Sequence, residues 1–86
     1  MSESKIREAL CSEVAKQLKE LRLKRGFSMA ELAAKSGLSR AMISFIESEF
    51  RNPTLDTLLR VCGALNVELA EVLKKSSAAA SRRPKR

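Results

Sequence analysis

The chain has 86 residues and a formal net charge of +7, and its apolar residues suffice for one modest core. Four of the seventeen cations lie in the last five residues, so residues 1–75 carry thirteen cations against ten anions and are only mildly basic. The chain has no histidine and too few soft ligands for a structural zinc site, so we expect no metal or other cofactor. It has no apolar run of membrane-spanning length and no secretion signal, so we expect a cytoplasmic protein.

The first predicted element is a long helix. Apolar residues recur at three- and four-residue steps from Ile6 to Leu21, which places them on one side of a helix that ends at Gly26. Ser12 is able to cap a fresh helix, so the segment is either one helix or two. Residues 1–12 are interpreted as an N-terminal helical extension.

Two short helices follow, with a two-residue turn between them. Ser28 and Glu31 form a capping box that predicts the start of the second helix, and Gly37 is suited to the left-handed conformation that ends it. Ser39 caps the third helix almost at once. Because so short a turn cannot let the helices run side by side, they must cross steeply, which is the geometry of a helix-turn-helix.

Two further helices complete the predicted domain, over residues 13–75. Thr54 caps a fourth helix with a broad apolar side, Asn66 is suited to end it, and an apolar stripe beginning at Leu69 predicts a short fifth helix. Residues 76–86 contain no bulky apolar side chain and are expected to bury nothing. They predict a mobile basic tail, although the alanines also suit one further turn of helix.

Several residues occur in the order typical of one family: Leu32 and Ala33, Gly37 and Leu38, Ile43 and Ile46, Glu47, and finally Asn52 and Pro53. On these residues the segment 13–73 resembles the Cro and phage-repressor type (XRE family) of helix-turn-helix domain. The resemblance implies an all-α, five-helix, lambda-repressor-like fold. It also implies a homodimer that binds double-stranded DNA with the third helix in the major groove.

The third helix has an inner and an outer side. Its isoleucines anchor the inner side, so the outer side consists of Arg40, Ala41, Ser44 and Phe45, which we expect to face base edges. Arg40 suits either a guanine or a phosphate, whereas Ala41 and Phe45 suit the methyl groups of thymine. Met42 is expected to be a peripheral core residue instead.

Further roles follow from the resemblance. Phosphate contacts are expected from the starts of the second and third helices and from the loop after the third, at Ser28, Ser39, Arg51 and Asn52. Arg22 and Glu47 match the family's ion pair between the first and third helices. Met29 and Glu49 depart from the family, which commonly has a phosphate-binding glutamine and a turn glycine there, and Phe50 replaces a usual cation.

The resemblance also implies a partner surface on the fifth helix and the end of the fourth, formed by Leu65, Val67, Leu69, Val72 and Leu73. Two domains joined there would meet half-sites about one DNA turn apart, roughly 34 to 36 Å. Such a chain is similar to the controller proteins of restriction-modification systems and to minimal phage repressors. Activation would need a contact with RNA polymerase, for which Glu31 or Glu49 are candidates.

The alternative function is that of an antitoxin, which neutralises a toxin and also regulates its own operon. Its toxin-binding segment would be the apolar stripe of Ile6, Ala9 and Leu10, which an extension of the first helix explains equally well. An enzyme is not expected, because no nucleophile is paired with a base and no glycine-rich loop could cradle a phosphate.

Overall fold

The computed structural model describes residues 2–48 and 53–82, and the regular structure within them consists of five α-helices. These are Glu3–Lys24 (α1), Met29–Ser36 (α2), Arg40–Glu47 (α3), Leu55–Leu65 (α4) and Leu69–Ser81 (α5). The predicted all-α, five-helix architecture is therefore confirmed.

Hydroxyl side chains set the starts of the first four helices. In each, the side-chain oxygen of Ser2, Ser28, Ser39 or Thr54 accepts a hydrogen bond from the amide three residues later, at 3.0 to 3.2 Å. The predicted caps at Ser28, Ser39 and Thr54 are thus confirmed. Each bond satisfies one of the amides that a helix start leaves without a partner.

Left-handed residues end the elements where the sequence predicts them. Gly26, Gly37 and Asn66 have φ angles of 76°, 74° and 59°, a conformation that glycine and asparagine adopt more readily than other residues. The first helix, by contrast, is not interrupted at Ser12, since α1 is continuous from Glu3 to Lys24. The interpretation of that segment as two helices is wrong.

All five helices contribute to one core. Its most buried large side chains are Leu18, Leu32, Ile43, Val61 and Leu65, which come from α1 to α4, and Val72 adds α5. Helix α2 packs on both α3 and α4, while α1 packs along α5. The helix-turn-helix formed by α2 and α3 therefore packs against α1 and α4.

The end of α5 agrees with one expectation and contradicts another. The helix continues through the alanines to Ser81, in agreement with the predicted extension. Ser76 is completely buried, so the expectation that nothing is buried after Lys75 is wrong. The α1 and α5 pair is the most extensive helix contact in the fold, and a small side chain is readily covered where two helices pack closely. Residues 83–86, which hold three of the four tail cations, lie outside the described residues.

Candidate nucleic-acid interface

The outer side of helix α3 carries both polar and apolar side chains. Ile43 and Ile46 are buried against the core, and this orientation exposes all four residues predicted to face base edges: Arg40, Ala41, Ser44 and Phe45. A large aromatic side chain exposed on a short helix is unusual for a merely solvated surface. We call these four residues the reading face, and their contact with bases remains a prediction.

One further residue of α3 and the residue that caps its end lie beside the reading face. Met42 is exposed, so its assignment to the peripheral core is wrong. Ser48 is also exposed, and its hydroxyl donates a hydrogen bond to the carbonyl of Phe45 at 3.1 Å. Ser48 is not among the predicted base-reading residues, although its position four residues after Ser44 places it on the same side of the helix.

The starts of α2 and α3 differ in charge. At α2, the Ser28 amide donates to Glu31 Oε1 at 2.8 Å, which completes the predicted capping box and places a carboxylate at the helix start. This hydrogen bond is the main reason that the pKa of Glu31 lies below its ordinary value. At α3, Ser39 caps the helix and no acidic residue occupies the first turn.

These differences affect the predicted phosphate contacts. The carboxylate of Glu31 offsets the positive end of the α2 dipole, whereas the start of α3 keeps its positive potential and is followed by Arg40. The two serines are therefore not equivalent as anion sites. The other two predicted phosphate contacts, Arg51 and Asn52, lie outside the described residues, as do Glu49 and Phe50.

A buried ion pair joins α1 to α3. Arg22 donates from Nε and Nη2 to the two carboxylate oxygens of Glu47, at 2.7 and 2.9 Å, and from Nη1 to the carbonyl of Phe27 at 2.8 Å. The side chains are only 8% and 4% exposed. The hydrogen bond to Glu47 raises the pKa of Arg22. The structure thus brings together the two residues that the resemblance pairs, and one guanidinium ties α1, the chain before α2 and the end of α3.

The predicted dimer surface is largely inside the domain. Leu65 and Val72 are buried core residues, and Val67 and Leu69 pack partly against that core, so only Leu73 is exposed. The prediction is therefore wrong for Leu65 and Val72. The error is one of orientation, because α4 packs on α1 and α2 and α5 packs on α1, and these contacts bury both side chains in the core.

Other kinds of site find no support in the described ranges. Within residues 2–48 and 53–82, no group of three His, Cys, Asp or Glu side chains is placed to hold a metal ion. None of the five helices is both long and apolar enough to span a bilayer.

Sequence relatives share the helix-turn-helix. Residues 18–72 match a family model described as helix-turn-helix. The transcriptional regulator SutR of Escherichia coli (strain K12) is 37% identical over 62 residues, which are 72% of this chain and 35% of that protein. The immunity repressor protein of Bacillus phage phi105 is 35% identical over 60 residues, which are 70% of this chain and 42% of the repressor. The chain thus spans less than half the length of these two relatives.

Solved structures agree with the family match. The restriction-modification controller protein C.AhdI from Aeromonas hydrophila superposes with a TM-score of 0.68 at 35% identity, over 73% of this chain and 94% of that one. The regulator SinR in complex with DNA superposes with a TM-score of 0.66 at 31% identity, over 70% of this chain and 97% of that one. This chain therefore belongs to the Cro and phage-repressor type, or XRE family, of helix-turn-helix proteins.

Proposed function

We propose that the protein is a sequence-specific transcription regulator that binds operator DNA as a homodimer, with α3 in the major groove. The observation that carries the proposal is the combination of a rigidly held α3 and an exposed reading face. The Arg22–Glu47 pair and the two buried isoleucines fix the inner side of α3. A helix held in this way can present its side chains to base edges in one register, which sequence recognition requires.

The chemistry of the reading face indicates how bases are distinguished. Arg40 can donate two hydrogen bonds to a guanine, and Ala41 and Phe45 offer apolar contact to thymine methyl groups. Ser44 donates or accepts and so discriminates weakly. Because the face has one charged group among neutral ones, we propose that recognition also depends on the shape of the DNA.

Phosphate binding is proposed mainly at the start of α3. There the free helix amides, the Ser39 hydroxyl and the Arg40 side chain combine without a nearby acidic group in the first turn. Ser28 is a weaker candidate because Glu31 lies beside it. The contacts proposed for Arg51 and Asn52 rest on the family resemblance alone.

Relatives support a regulator more than an antitoxin. The matched proteins include a transcriptional regulator and a phage immunity repressor, and one structural neighbour is in complex with DNA. Of the proposed toxin-binding stripe, Ala9 and Leu10 are half-buried and Leu10 packs against the core, which leaves Ile6 as the exposed member. One exposed isoleucine offers little surface for a toxin.

The test is selection of bound sequences from random duplex DNA with the wild-type chain and the double variant Arg40→Ala, Ser44→Ala. We expect the variant to lose discrimination by about tenfold at the base position that Arg40 contacts, because a good bidentate base contact is worth roughly 1 to 3 kcal/mol, and to lose less at the position that Ser44 contacts. Its melting temperature should stay close to that of the wild type, since both side chains are exposed.

The control is the double variant Lys16→Ala, Glu20→Ala, which removes two exposed side chains from α1. It should select the same sequences as the wild type. If the reading-face variant also selects the same sequences with the same ranking, Arg40 and Ser44 do not read bases and the proposed mechanism of base discrimination is wrong for both residues. If no sequence is enriched by the wild type, the proposal of a sequence-specific regulator fails.

A further inference from the structure

Arg60 of α4 lies against the turn of the helix-turn-helix. A Cβ placed on Gly37 would lie 3.3 Å from Arg60 Nη1. Gly37 ends α2 with a left-handed φ of 74°, and Ser39, which caps α3, follows two residues later. Consecutive Cα atoms are about 3.8 Å apart, so Gly37 and Ser39 are close in space. The guanidinium of Arg60 therefore lies beside the start of α3, where the proposed function places a phosphate.

The chain itself uses only part of this guanidinium. Its Nε donates to Asp56 Oδ2 at 2.8 Å, and neither Nη1 nor Nη2 has a hydrogen-bond partner among the described residues. The side chain of Arg60 is 50% exposed, and that of Asp56 is 75% exposed. An ion pair so open to water contributes little to the stability of the fold. The terminal N–H groups therefore remain available to an external acceptor.

A structural role for Arg60 would be to cap the end of α2. A cation near a helix C-terminus is favourable, and an arginine there can donate to the last carbonyls. Arg60, however, donates to no carbonyl of α2 within the described ranges. The end of α2 is closed instead by the amides of Gly37 and Leu38, which both donate to the carbonyl of Ala33. The geometry therefore favours an acceptor outside the chain.

We propose that Arg60 binds the same DNA phosphate as the start of α3, with Asp56 holding the guanidinium beside the turn. The inference rests on the DNA binding of the proposed function and adds a residue of α4 to it. Guanidinium groups commonly bind a phosphate with two parallel N–H donors. Nη1 and Nη2 provide such donors while Nε stays on Asp56. Because a phosphate contact carries no direct information about bases, Arg60 affects affinity and leaves the choice of sequence unchanged.

The surrounding charges also suit a phosphate. Arg40 occupies the first turn of α3, and no acidic residue lies in that turn. Asp56 is the ion-pair partner of Arg60 among the described residues, and it is the acidic group beside this place. Its carboxylate orients Arg60 but also repels an approaching phosphate. Asp56 is therefore expected to limit the affinity that Arg60 contributes.

The first test measures the salt dependence of DNA binding by Arg60→Gln. Binding is titrated by fluorescence anisotropy on a duplex with one selected half-site, so that contacts between two copies of the chain do not affect the result. Each phosphate contact contributes about 0.9 to the slope of log affinity against log salt concentration. We expect this variant to lose about 0.9 of that slope. Its affinity should fall about tenfold, as for loss of a hydrogen bond to a charged group.

The matched control is Arg7→Gln, which removes an exposed arginine from the first part of α1. Its slope should equal that of the wild type. Both variants should melt close to the wild-type temperature, because both side chains are exposed. An unchanged slope for Arg60→Gln overturns the proposal. A lower melting temperature together with an unchanged slope assigns Arg60 to the capping of α2 instead.

Conservative variants separate the charge from the structure. Arg60→Lys keeps a cation that binds phosphate as a point charge, so it should retain the wild-type slope. Asp56→Asn keeps an oxygen that accepts from Nε but removes the negative charge. Its affinity for every duplex should rise by roughly two- to fivefold, the range of an exposed charge interaction. A reduced slope for Arg60→Lys, or a weaker affinity for Asp56→Asn, contradicts the proposal.

A third test locates the phosphate. Duplexes in which one phosphate at a time is replaced by an uncharged methylphosphonate are titrated with the wild type, Arg60→Gln and Ser39→Ala. We expect one position where the replacement weakens the wild type but has a much smaller effect on both variants, because changes at a shared contact are not additive. If every replacement weakens Arg60→Gln as much as the wild type, Arg60 binds no phosphate. If the two variants respond at different positions, the phosphate is not shared with the start of α3.

Selection from random duplex DNA separates this inference from the proposed function. Arg60→Gln should enrich the same sequences as the wild type, and a changed ranking would show that Arg60 acts on base reading. If the wild type enriches no sequence but Arg60→Gln still loses slope on a random-sequence duplex, the phosphate contact stands and the regulator proposal fails. If the wild type selects sequences and the slope of Arg60→Gln is unchanged, the regulator proposal stands and this inference fails.

Discussion

The helix-turn-helix and the pair of helices that follows it are stabilised in different ways. Residues 28–48 contain two capped eight-residue helices and a left-handed glycine, and one buried ion pair attaches this unit to α1. Residues 54–82 contain longer helices that are positioned mainly by apolar packing on α1 and α2. The first region is defined by a few directional bonds and the second by an extended contact surface.

This difference separates two kinds of exposed residue. In the helix-turn-helix, the exposed side of α3 follows directly from the buried isoleucines opposite it. In α4, apolar residues occur on more than one side, and the core covers only some of them, which leaves Leu55 and Leu59 in solvent. The reading face is the side of α3 opposite its buried isoleucines, whereas the exposed leucines of α4 are apolar side chains that packing of the core does not require.

The largest expected effect comes from breaking the ion pair that attaches the helix-turn-helix. Glu47→Ala leaves the buried Arg22 guanidinium with the Phe27 carbonyl as its hydrogen-bond partner among those described. Removing one member of a buried pair typically costs about 3 kcal/mol or more, a large part of the free energy of unfolding of a small domain. Urea denaturation of wild type and variant measures the loss.

The control is Glu20→Ala, which removes an exposed glutamate from α1 and should leave the urea midpoint nearly unchanged. DNA affinity should fall with Glu47→Ala even where the variant is still folded, because α3 loses its attachment to α1. An unchanged urea midpoint for Glu47→Ala would show that packing positions α3 without help from the pair. The two regions would then be stabilised in the same way.

An intermediate effect is expected at two buried serines, one in each region. Ser36 in α2 donates from its hydroxyl to the carbonyl of Ala33 at 3.2 Å, whereas the hydroxyl of Ser76 in α5 has no hydrogen-bond partner among the described residues. A buried polar group without a partner costs about 1 to 3 kcal/mol. Ser76→Ala should therefore raise the free energy of unfolding by about 1 kcal/mol, and Ser36→Ala should not raise it.

Thermal and urea denaturation of both variants provide the comparison. Equal effects of the two substitutions would indicate that hydrogen bonding is unimportant at these sites. A loss of stability in Ser76→Ala would mean that its hydroxyl has a partner in the folded chain. Either result would contradict the view that hydrogen bonds stabilise residues 28–48 whereas apolar packing stabilises residues 54–82.

The sequence predicts the helix-turn-helix well because its signals are local. The capping box at Ser28, the turn at Gly37 and the cap at Ser39 each involve atoms no more than a few residues apart. The long-range Arg22–Glu47 pair came from the family resemblance, since nothing in spacing alone links residues 25 positions apart. The order of the five helices follows from the same local signals.

Orientation of the last two helices could not be predicted in the same way. The apolar pattern of α4 and α5 indicates helices, but which of their apolar residues become buried depends on how α1 packs beside them. The apolar pattern therefore does not separate Leu65 and Val72, which lie in the core, from Leu59, which is exposed. The burial of Ser76 depends on the same long-range contact.

The smallest expected effect tests whether local hydrogen bonds contribute measurably to the helix-turn-helix. The hydrogen bond from the Ser28 amide holds the pKa of Glu31 below its ordinary value, because it favours the ionised carboxylate in the folded chain. This contribution is complete above the unfolded glutamate pKa of about 4.3. It is lost as the pH falls through the lower pKa of the folded state.

We therefore expect the difference in free energy of unfolding between wild type and Glu31→Gln to shrink as the pH is lowered from about 6 toward about 3, an interval that includes the ordinary glutamate pKa. Glutamine retains an oxygen that can accept from the Ser28 amide, so the difference reports the charge rather than the loss of the capping box. Titration of the Glu31 carboxylate by NMR in the folded chain measures the lowered pKa directly. A difference that is independent of pH would mean that the charge of the carboxylate contributes nothing to stability at the start of α2.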